Sequence, residues 1–284
     1  MSYRNFIPTV WAEAIQRELE RKHIFAVNTN RQYEGEVKRL GDSVRILGIA
    51  APTITEYDLN SKNNKFNGLS EAETVDDTST TLYIDKMATF NYKVDDIDER
   101  QAVGGVMEAL STETSEGLAN VQDKAIAALA FDSLAVNANA SAVQFTADNI
   151  LQQIMMAHQK LMENDVAAGT KVTMTMTPAV ATLYKMALGE KDTDNSELLK
   201  TGVIGRFDGV ELKVSNNVAH KTIGGHDVLG IQVKTDRAIA FANPMTHTEA
   251  YRPDLDFTDC VKGFTLYGTK IVRPKEMFIL NGYL

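Results

Sequence analysis

The chain has 284 residues, 44% of them hydrophobic, with 38 acidic against 29 basic side chains and a formal net charge of −9. That length supports one large domain or two modest ones around a real core, and the acidic balance repels a polyphosphate, which excludes a general nucleic-acid binder. No run of eighteen apolar residues occurs, Met1–Trp11 lacks the basic-then-apolar design of a signal peptide, and Cys260 has no second cysteine to bridge; membrane insertion and secretion are not expected, and a reducing compartment is.

The first forty residues read as an arm followed by an amphipathic helix. Pro8 and Thr9 precede a run in which Trp11, Ile15, Leu19 and His23 share a face at four-residue spacing, with Trp11 as a packing anchor. Tyr33-Glu34-Gly35-Glu36 leads toward a Gly41-Asp42 turn, after which Val44, Ile46, Gly48 and Ala50 alternate as in a strand that Pro52 ends. Residues 56–79 are polar. Beyond them Leu82, Ile84, Ala88, Phe90, Tyr92 and Val94 hold an even-numbered alternation that Lys86 alone breaks. Two long strands joined by a polar tip predict a projecting hairpin. A lone two-stranded ribbon is marginal in water and its open edges invite another chain, so a surface outside the subunit is expected to cover it.

From Asp95 to Ala135 the period changes. Val103, Val106, Met107, Leu110, Leu118, Val121, Ala125, Ile126 and Leu129 recur at three- and four-residue steps, one buried helical face. Glu99, Arg100, Glu108, Glu113, Glu116, Asp123 and Lys124 fall mostly between them on a wet stripe. One long helix is predicted, roughly 60 Å at 1.5 Å per residue, more than the roughly 50 Å diameter of a compact chain of this size. Gly104 and Gly105 are placed to kink or break it, leaving a spine of about 29 residues and roughly 43 Å.

Asn137–Ser141 is small and polar, a domain boundary. Ile150, Leu151, Ile154, Met155, His158, Leu161 and Met162 then form a second amphipathic face, with Thr146 or Asp148 as its cap and Gly169 after its end. Lys171–Met176 alternates as a short strand. Thr177-Pro178 opens a helix that runs through Leu188 and closes at Gly189. This alternation predicts a small α/β domain. Residues 190–202 are a charged surface loop, residues 203–210 run into a strand at Glu211–Val214, and further strands are expected at 228–233, 238–241 and through the tail, packed on the spine.

The chain carries no phosphate-binding glycine loop, zinc-protease helix motif or nucleophile elbow. His220 and His226 are read as surface histidines without a third ligand, and His158 as a satisfied core histidine. His247-Thr248-Glu249 lacks the cysteine pair of a deaminase, and Asp192–Asn195 lacks the glycine and glutamate of a calcium loop. Cys260 reads as a small buried hydrophobe. No catalytic residue, cofactor or metal site is assigned.

Phe6-Ile7-Pro8 with Trp11, then Tyr33-Glu34-Gly35-Glu36 and Gly41-Asp42-Ser43-Val44, the polar loop, the long helix, Gly202–Val210, and the closing Val261-Lys262-Gly263-Phe264 with Leu266-Tyr267-Gly268 follow in order along essentially the whole chain. This succession resembles the tailed-bacteriophage major capsid proteins. The resemblance implies the α+β Hong-Kong-97 capsid fold: an N-terminal arm (1–40), an extended E-loop hairpin (41–94), a P-domain made of a spine helix (95–140) and closing strands (236–284), and an α/β A-domain (141–235). It implies a non-enzymatic coat protein without cofactors, assembling as hexamers and pentamers of an icosahedral head around double-stranded DNA held without sequence specificity. Its place is the virion capsid, and the host cytoplasm during assembly. The implied partners are further copies of itself, a portal protein and a scaffolding protein. Fewer than forty-five residues precede the E-loop, too few for the scaffolding segment some members carry, so a separate scaffolding protein is expected. Assembly contacts are expected at Phe6, Trp11, Tyr33, Lys62, Lys65, Phe66, Glu190, Lys191 and Asp192. Some members cross-link through a lysine of the E-loop; Lys62 and Lys65 are read as solvated charges. The alternatives are an encapsulin-like protein compartment and a soluble α/β enzyme, and no membrane partner is expected.

Overall fold

A computed structural model of the chain describes residues 23–34, 43–49, 77–95, 106–164, 166, 169–189, 205–251 and 258–284. Alternation puts Val44 and Ile46 of Ser43–Ile49 (β1) and Leu82 of Asp77–Tyr83 (β2) on one buried face. The two strands pair antiparallel, from Ser43 opposite Tyr83 to Ile49 opposite Asp77. Of the expected polar stretch, 56–79, residues 56–76 lie outside the described residues and 77–79 belong to β2.

Two features of this ribbon depart from expectation. The single strand predicted through Val94 is two strands in two sheets, because Ile84 turns into a small core with Val44, Ile46, Leu82, Ala240, Ala242 and Leu266. Lys86, the residue out of phase, opens the second strand, Lys86–Asp95 (β3). The base of the ribbon is therefore covered by its own chain and needs no outside surface there. The crossing is tight: a Cβ at Gly268 would stand 2.2 Å from the Tyr83 carbonyl oxygen.

Asp95 ends β3 and does not begin a helix; the described helix runs Val106–Ala128 (α1). Its 23 residues extend roughly 35 Å, short of the predicted spine. A 3-10 turn at Leu129–Phe131 follows, Asp132 is extended, and its carboxylate accepts the Leu134 N–H at 3.0 Å, so the helix cannot reach Ala135. The buried face also differs. Ser115, Leu118, Ala119, Gln122, Asp123, Ile126 and Ala127 are inside, whereas Val121 is 45% exposed. Three of these are polar. Gln122 Nε2 donates to Thr265 Oγ1 at 3.4 Å, and that hydroxyl donates to Asn243 Oδ1 at 2.7 Å.

The remaining elements are Val136–Asn137 (β4), Val143–Gln144 (β5), Ile150–Glu163 (α2), Val172–Met176 (β6), Pro178–Gly189 (α3), Arg206–Phe207 (β7), Val210–Val214 (β8), His220–Ile223 (β9), His226–Thr235 (β10), Ile239–Tyr251 (β11), Thr258–Ile271 (β12) and Met277–Tyr283 (β13). Their order in the large sheet is β4-β13-β10-β6-β8-β7, with β5 on β13 and β9 on β10; β11-β12-β3 form a separate antiparallel sheet. The expected strand–helix alternation is present, with β6 and β8 parallel. Between β7 and β8, Asp208 and Gly209 both have positive φ (50° and 79°), the conformation of a tight two-residue hairpin.

Neither Thr146 nor Asp148 caps α2. The Asn149 side chain instead accepts the Thr146 N–H at 3.0 Å and donates to the Gln144 carbonyl at 2.8 Å. Ile150, Leu151, Ile154, Ala157 and Leu161 face inward, while Met155 and Met162 face out. The helix ends at Asn164, before Gly169. Thr177 does cap α3, its hydroxyl accepting the Val180 N–H at 3.4 Å.

Register gives the large sheet two unlike faces. On one, Val172, Met174 and Met176, Val210 and Leu212, and Ile231 and Val233 join α2 and α3 in the main core. On the other, Lys234 pairs with Thr173 and Thr173 with Glu211, while Gln232 pairs with Thr175 and Thr175 with Lys213. Most of this polar face is also buried. The C-terminal end of α1 covers part of it, where Gln232 Nε2 donates to the Ile126 and Ala127 carbonyls at 2.9 and 3.1 Å.

Gly268→Ala forces the Tyr83 backbone aside and is expected to cost on the order of 1–3 kcal/mol. Gly117→Ala, in α1 with nothing within 4 Å of the added Cβ, is expected to stabilise by about 1 kcal/mol. Urea unfolding of the two variants reads both signs.

Candidate functional site

Residues 23–34 belong to no sheet and no α-helix, yet they touch α1, the large sheet and β11. Phe25 and Ala26 enter the main core, and a 3-10 turn at Ala26–Asn28 follows. Residues there leave backbone donors without secondary-structure partners, and in a buried setting each needs an acceptor. Asp123 supplies it. Its Oδ2 accepts the Ile24 N–H at 2.8 Å and its Oδ1 the Ala26 N–H at 3.2 Å. His23 Nδ1 lies 3.1 Å from the same Oδ1, with both side chains almost fully buried.

The next residues are held by lysines and by strand-like pairing. Lys234 Nζ donates to the Asn28 carbonyl, and Lys171 Nζ donates to Asn28 Oδ1 at 3.2 Å. Asn30 pairs in parallel with Ala240: its N–H reaches the Ile239 carbonyl at 2.8 Å, and its carbonyl accepts the Phe241 N–H at 3.0 Å. Glu34 Oε1 accepts from Arg31 Nε at 2.8 Å and from the Asn243 N–H at 3.2 Å.

Burial pulls the Lys234 amine from 10.5 down to about 7, against the opposing pull of Asp236. An open cleft of about 350 Å³ lies between residues 29–33 and Asp236, Arg237, Val272 and Arg273. Its cations are largely answered from within: Arg31 pairs with Glu34, and Arg237 and Arg273 with Glu276. Burial alone raises the Glu276 carboxyl, but hydrogen bonds from Thr235 and Arg273 and the charges of Arg237 and Arg273 outweigh it and hold the group below its usual value.

Elsewhere the histidines serve local geometry. His220 Nδ1 lies 3.0 Å from Asp227, His226 stacks on Tyr283 at 4.1 Å, and His158, half-buried, lies 3.0 Å from Asp208 at the β7–β8 turn. Among the described residues no group of three or more His, Cys, Asp or Glu could hold a metal ion. Cys260 is buried.

Of the expected assembly contacts only Tyr33 is described, half-buried against the small core under the ribbon. Phe6, Trp11, Lys62, Lys65, Phe66, Glu190, Lys191 and Asp192 lie outside the described residues. The Asp123 junction was missed from sequence. His23, expected on a helical face with Trp11, stands outside any helix. Asp123, expected on the wet stripe, is buried: it sits four residues after Ala119 and three before Ile126, on the helical row that small residues keep dry. Counting Ser115 and Ala119 as interior positions would have found it.

No protein-family model matches the chain, and no curated protein does. Solved structures do. The chain is similar to a structure from Mycobacterium phage Che8, with 25% identity, 90% of each chain covered and a TM-score of 0.70. It is similar to the capsid of cyanophage P-SCSP1u, with 14% identity, 92% of this chain and 86% of that one covered and a TM-score of 0.66. A virus-like particle from Pyrococcus furiosus aligns over 94% of this chain and 96% of its own at 13% identity, with a TM-score of 0.59. The resemblance to phage capsid proteins drawn from the sequence is found in the fold, a mixed α+β arrangement with few helices and large sheets.

Asp123→Ala leaves the buried Ala26 N–H and the part-buried Ile24 N–H without their acceptor and is expected to lower stability by about 2–4 kcal/mol. Lys124→Ala, one residue on and exposed, should stay within about 0.5 kcal/mol. Equal effects of the two in urea unfolding would contradict the role given to Asp123.

Proposed function

We propose that this chain is the major capsid protein of a tailed bacteriophage. The observation that carries this reading is the extent of the likeness: phage capsid structures are matched over about nine-tenths of both chains. In this reading α1 is the spine helix, the β1–β2 ribbon is the base of an E-loop spanning 41–94, residues 1–40 are the arm, and 141–235 form the A-domain. The P-domain combines 95–140 with 236–284, and β13 returns from it into the large sheet. The chain is a structural component and not an enzyme.

Copies assemble as hexamers and pentamers of an icosahedral shell. Contacts between different patches on neighbouring copies generate such closed rings, and the proposed contacts are Phe6, Trp11, Tyr33, Lys62, Lys65, Phe66, Glu190, Lys191 and Asp192. The shell encloses double-stranded DNA without sequence-specific binding, and a net charge of −9 suits a container whose contents must pass in and out without adhering. A separate scaffolding protein and a portal protein complete the set of partners. The shell is the chain's place in the virion, reached after assembly in the host cytoplasm.

The Pyrococcus furiosus particle, aligned over almost its whole length, supports a second reading as a compartment for protein cargo. The contents of purified particles separate the two: DNA, or a cargo protein.

Negative-stain microscopy of the expressed chain, with and without a co-expressed scaffolding partner, is expected to show rings, tubes or closed particles. A monomer under both conditions overturns the proposal.

A further inference from the structure

We propose that residues 23–34 are a proton-operated strap: uptake of a proton at Lys234 frees Asn28 and Asn30 from the sheets, while Asp123 keeps hold of Ile24 and Ala26. The inference stands on the junction itself and does not depend on the capsid reading.

The geometry comes first. Lys234 is 2% exposed and its amine donates to the backbone carbonyl of Asn28, the centre of the strap. Among the described residues no carboxylate lies within ion-pair distance of it. The charged groups around it come from every element packed there. Asp123 on α1 is already engaged by Ile24, Ala26 and, on the strap, His23. Asp236 follows β10, Lys213 lies on β8, and Lys171 stands just before β6; the two lysines share Glu211. Nearby acceptors do not complete a cage for an ammonium: Thr173 Oγ1, Gln232 Oε1 and Asp236 Oδ1 are buried without hydrogen-bond partners, so none of them receives a bond from the amine, and Asn28 Nδ2 is itself a donor. A charged Lys234 is thus poorly solvated as long as Asn28 covers it. Lifting Asn28 hydrates it.

The two ends of the strap respond differently. Ile24 and Ala26 are tied to a carboxylate, and Phe25 is anchored in the core. Asn28 and Asn30 are held by the Lys234 and Lys171 amines and by two backbone hydrogen bonds to β11. Protonation acts on the second set.

The sign follows from linkage. In the docked strap the amine titrates at about 7, against 10.5 when solvated, so the docked form binds fewer protons between those values. Opening therefore grows as pH falls through that window, approaching about tenfold per unit, and levels off below pH 7. From pH 8.5 to pH 6 the opening equilibrium rises about thirtyfold.

Hydrogen exchange on the full chain tests this through the amides of Asn30 and Phe241, bonded across the joint to the Ile239 and Asn30 carbonyls, with each rate divided by its intrinsic exchange rate at that pH. Protection at these amides is expected to be about thirtyfold lower at pH 6 than at pH 8.5, while residues 172–176 of β6 stay constant. Lys234→Met should remove the dependence, and Lys171→Met should retain it. Flat wild-type protection overturns the proposal whether or not the variants fold. So does a dependence that survives in Lys234→Met, or a loss shared equally by β6.

Discussion

The backbone N–H groups of Ile24, part-buried, and Ala26, buried, lie where neither a strand nor a helix supplies an acceptor, and the Asp123 carboxylate answers both. A bare donor in such a place costs about as much as the whole net gain of a good hydrogen bond, or more. The requirement fixes which face of α1 turns inward, because Asp123 reaches residues 24 and 26 only from the dry side. Phe25 supplies apolar anchoring beside it, but apolar contact alone does not set a register. The two hydrogen bonds to one carboxylate do.

The large sheet extends the same logic. One face is a conventional apolar surface closed by α2 and α3, and its removal from water is the principal source of stability in this part of the chain. The other is buried but polar, with Lys234, Gln232, Thr173 and Thr175 in adjacent register. A polar buried face gives less cohesion than an apolar one of equal area, yet its hydrogen bonds are directional. Gln232 fixes the end of α1 through two carbonyls, and Lys234 holds the strap through one. Body and attachments are thereby joined by different physics: dispersion and burial within the body, specific polar contacts at the joints.

The ribbon of β1 and β2 has a joint of a third kind. Its base is packed into a small core of its own chain, and Gly268 permits the close approach of the Tyr83 backbone where the ribbon leaves the three-stranded sheet. A side chain at that position has no room. The base of the ribbon is thereby seated by packing and by a close backbone approach, not by a polar contact.

Period and punctuation in the sequence determined the elements. The strand at 43–49, the helix after Gly105, the Thr177-Pro178 helix start and the closing strands all follow from local rules, because hydrophobic spacing and capping act within a few residues of themselves. The order of those elements was enough to suggest the capsid likeness that the fold bears out. Lys86 stands where one strand becomes two, because Ile84 before it enters a different core. What the tertiary structure alone decided was which polar residues are buried. Asp123, Gln122, Gln232 and Lys234 look like surface side chains in one dimension, since polarity is local information and burial is not. Their partners lie roughly a hundred or more residues away along the chain, and only the folded arrangement brings an acceptor at position 123 to donors at 24 and 26.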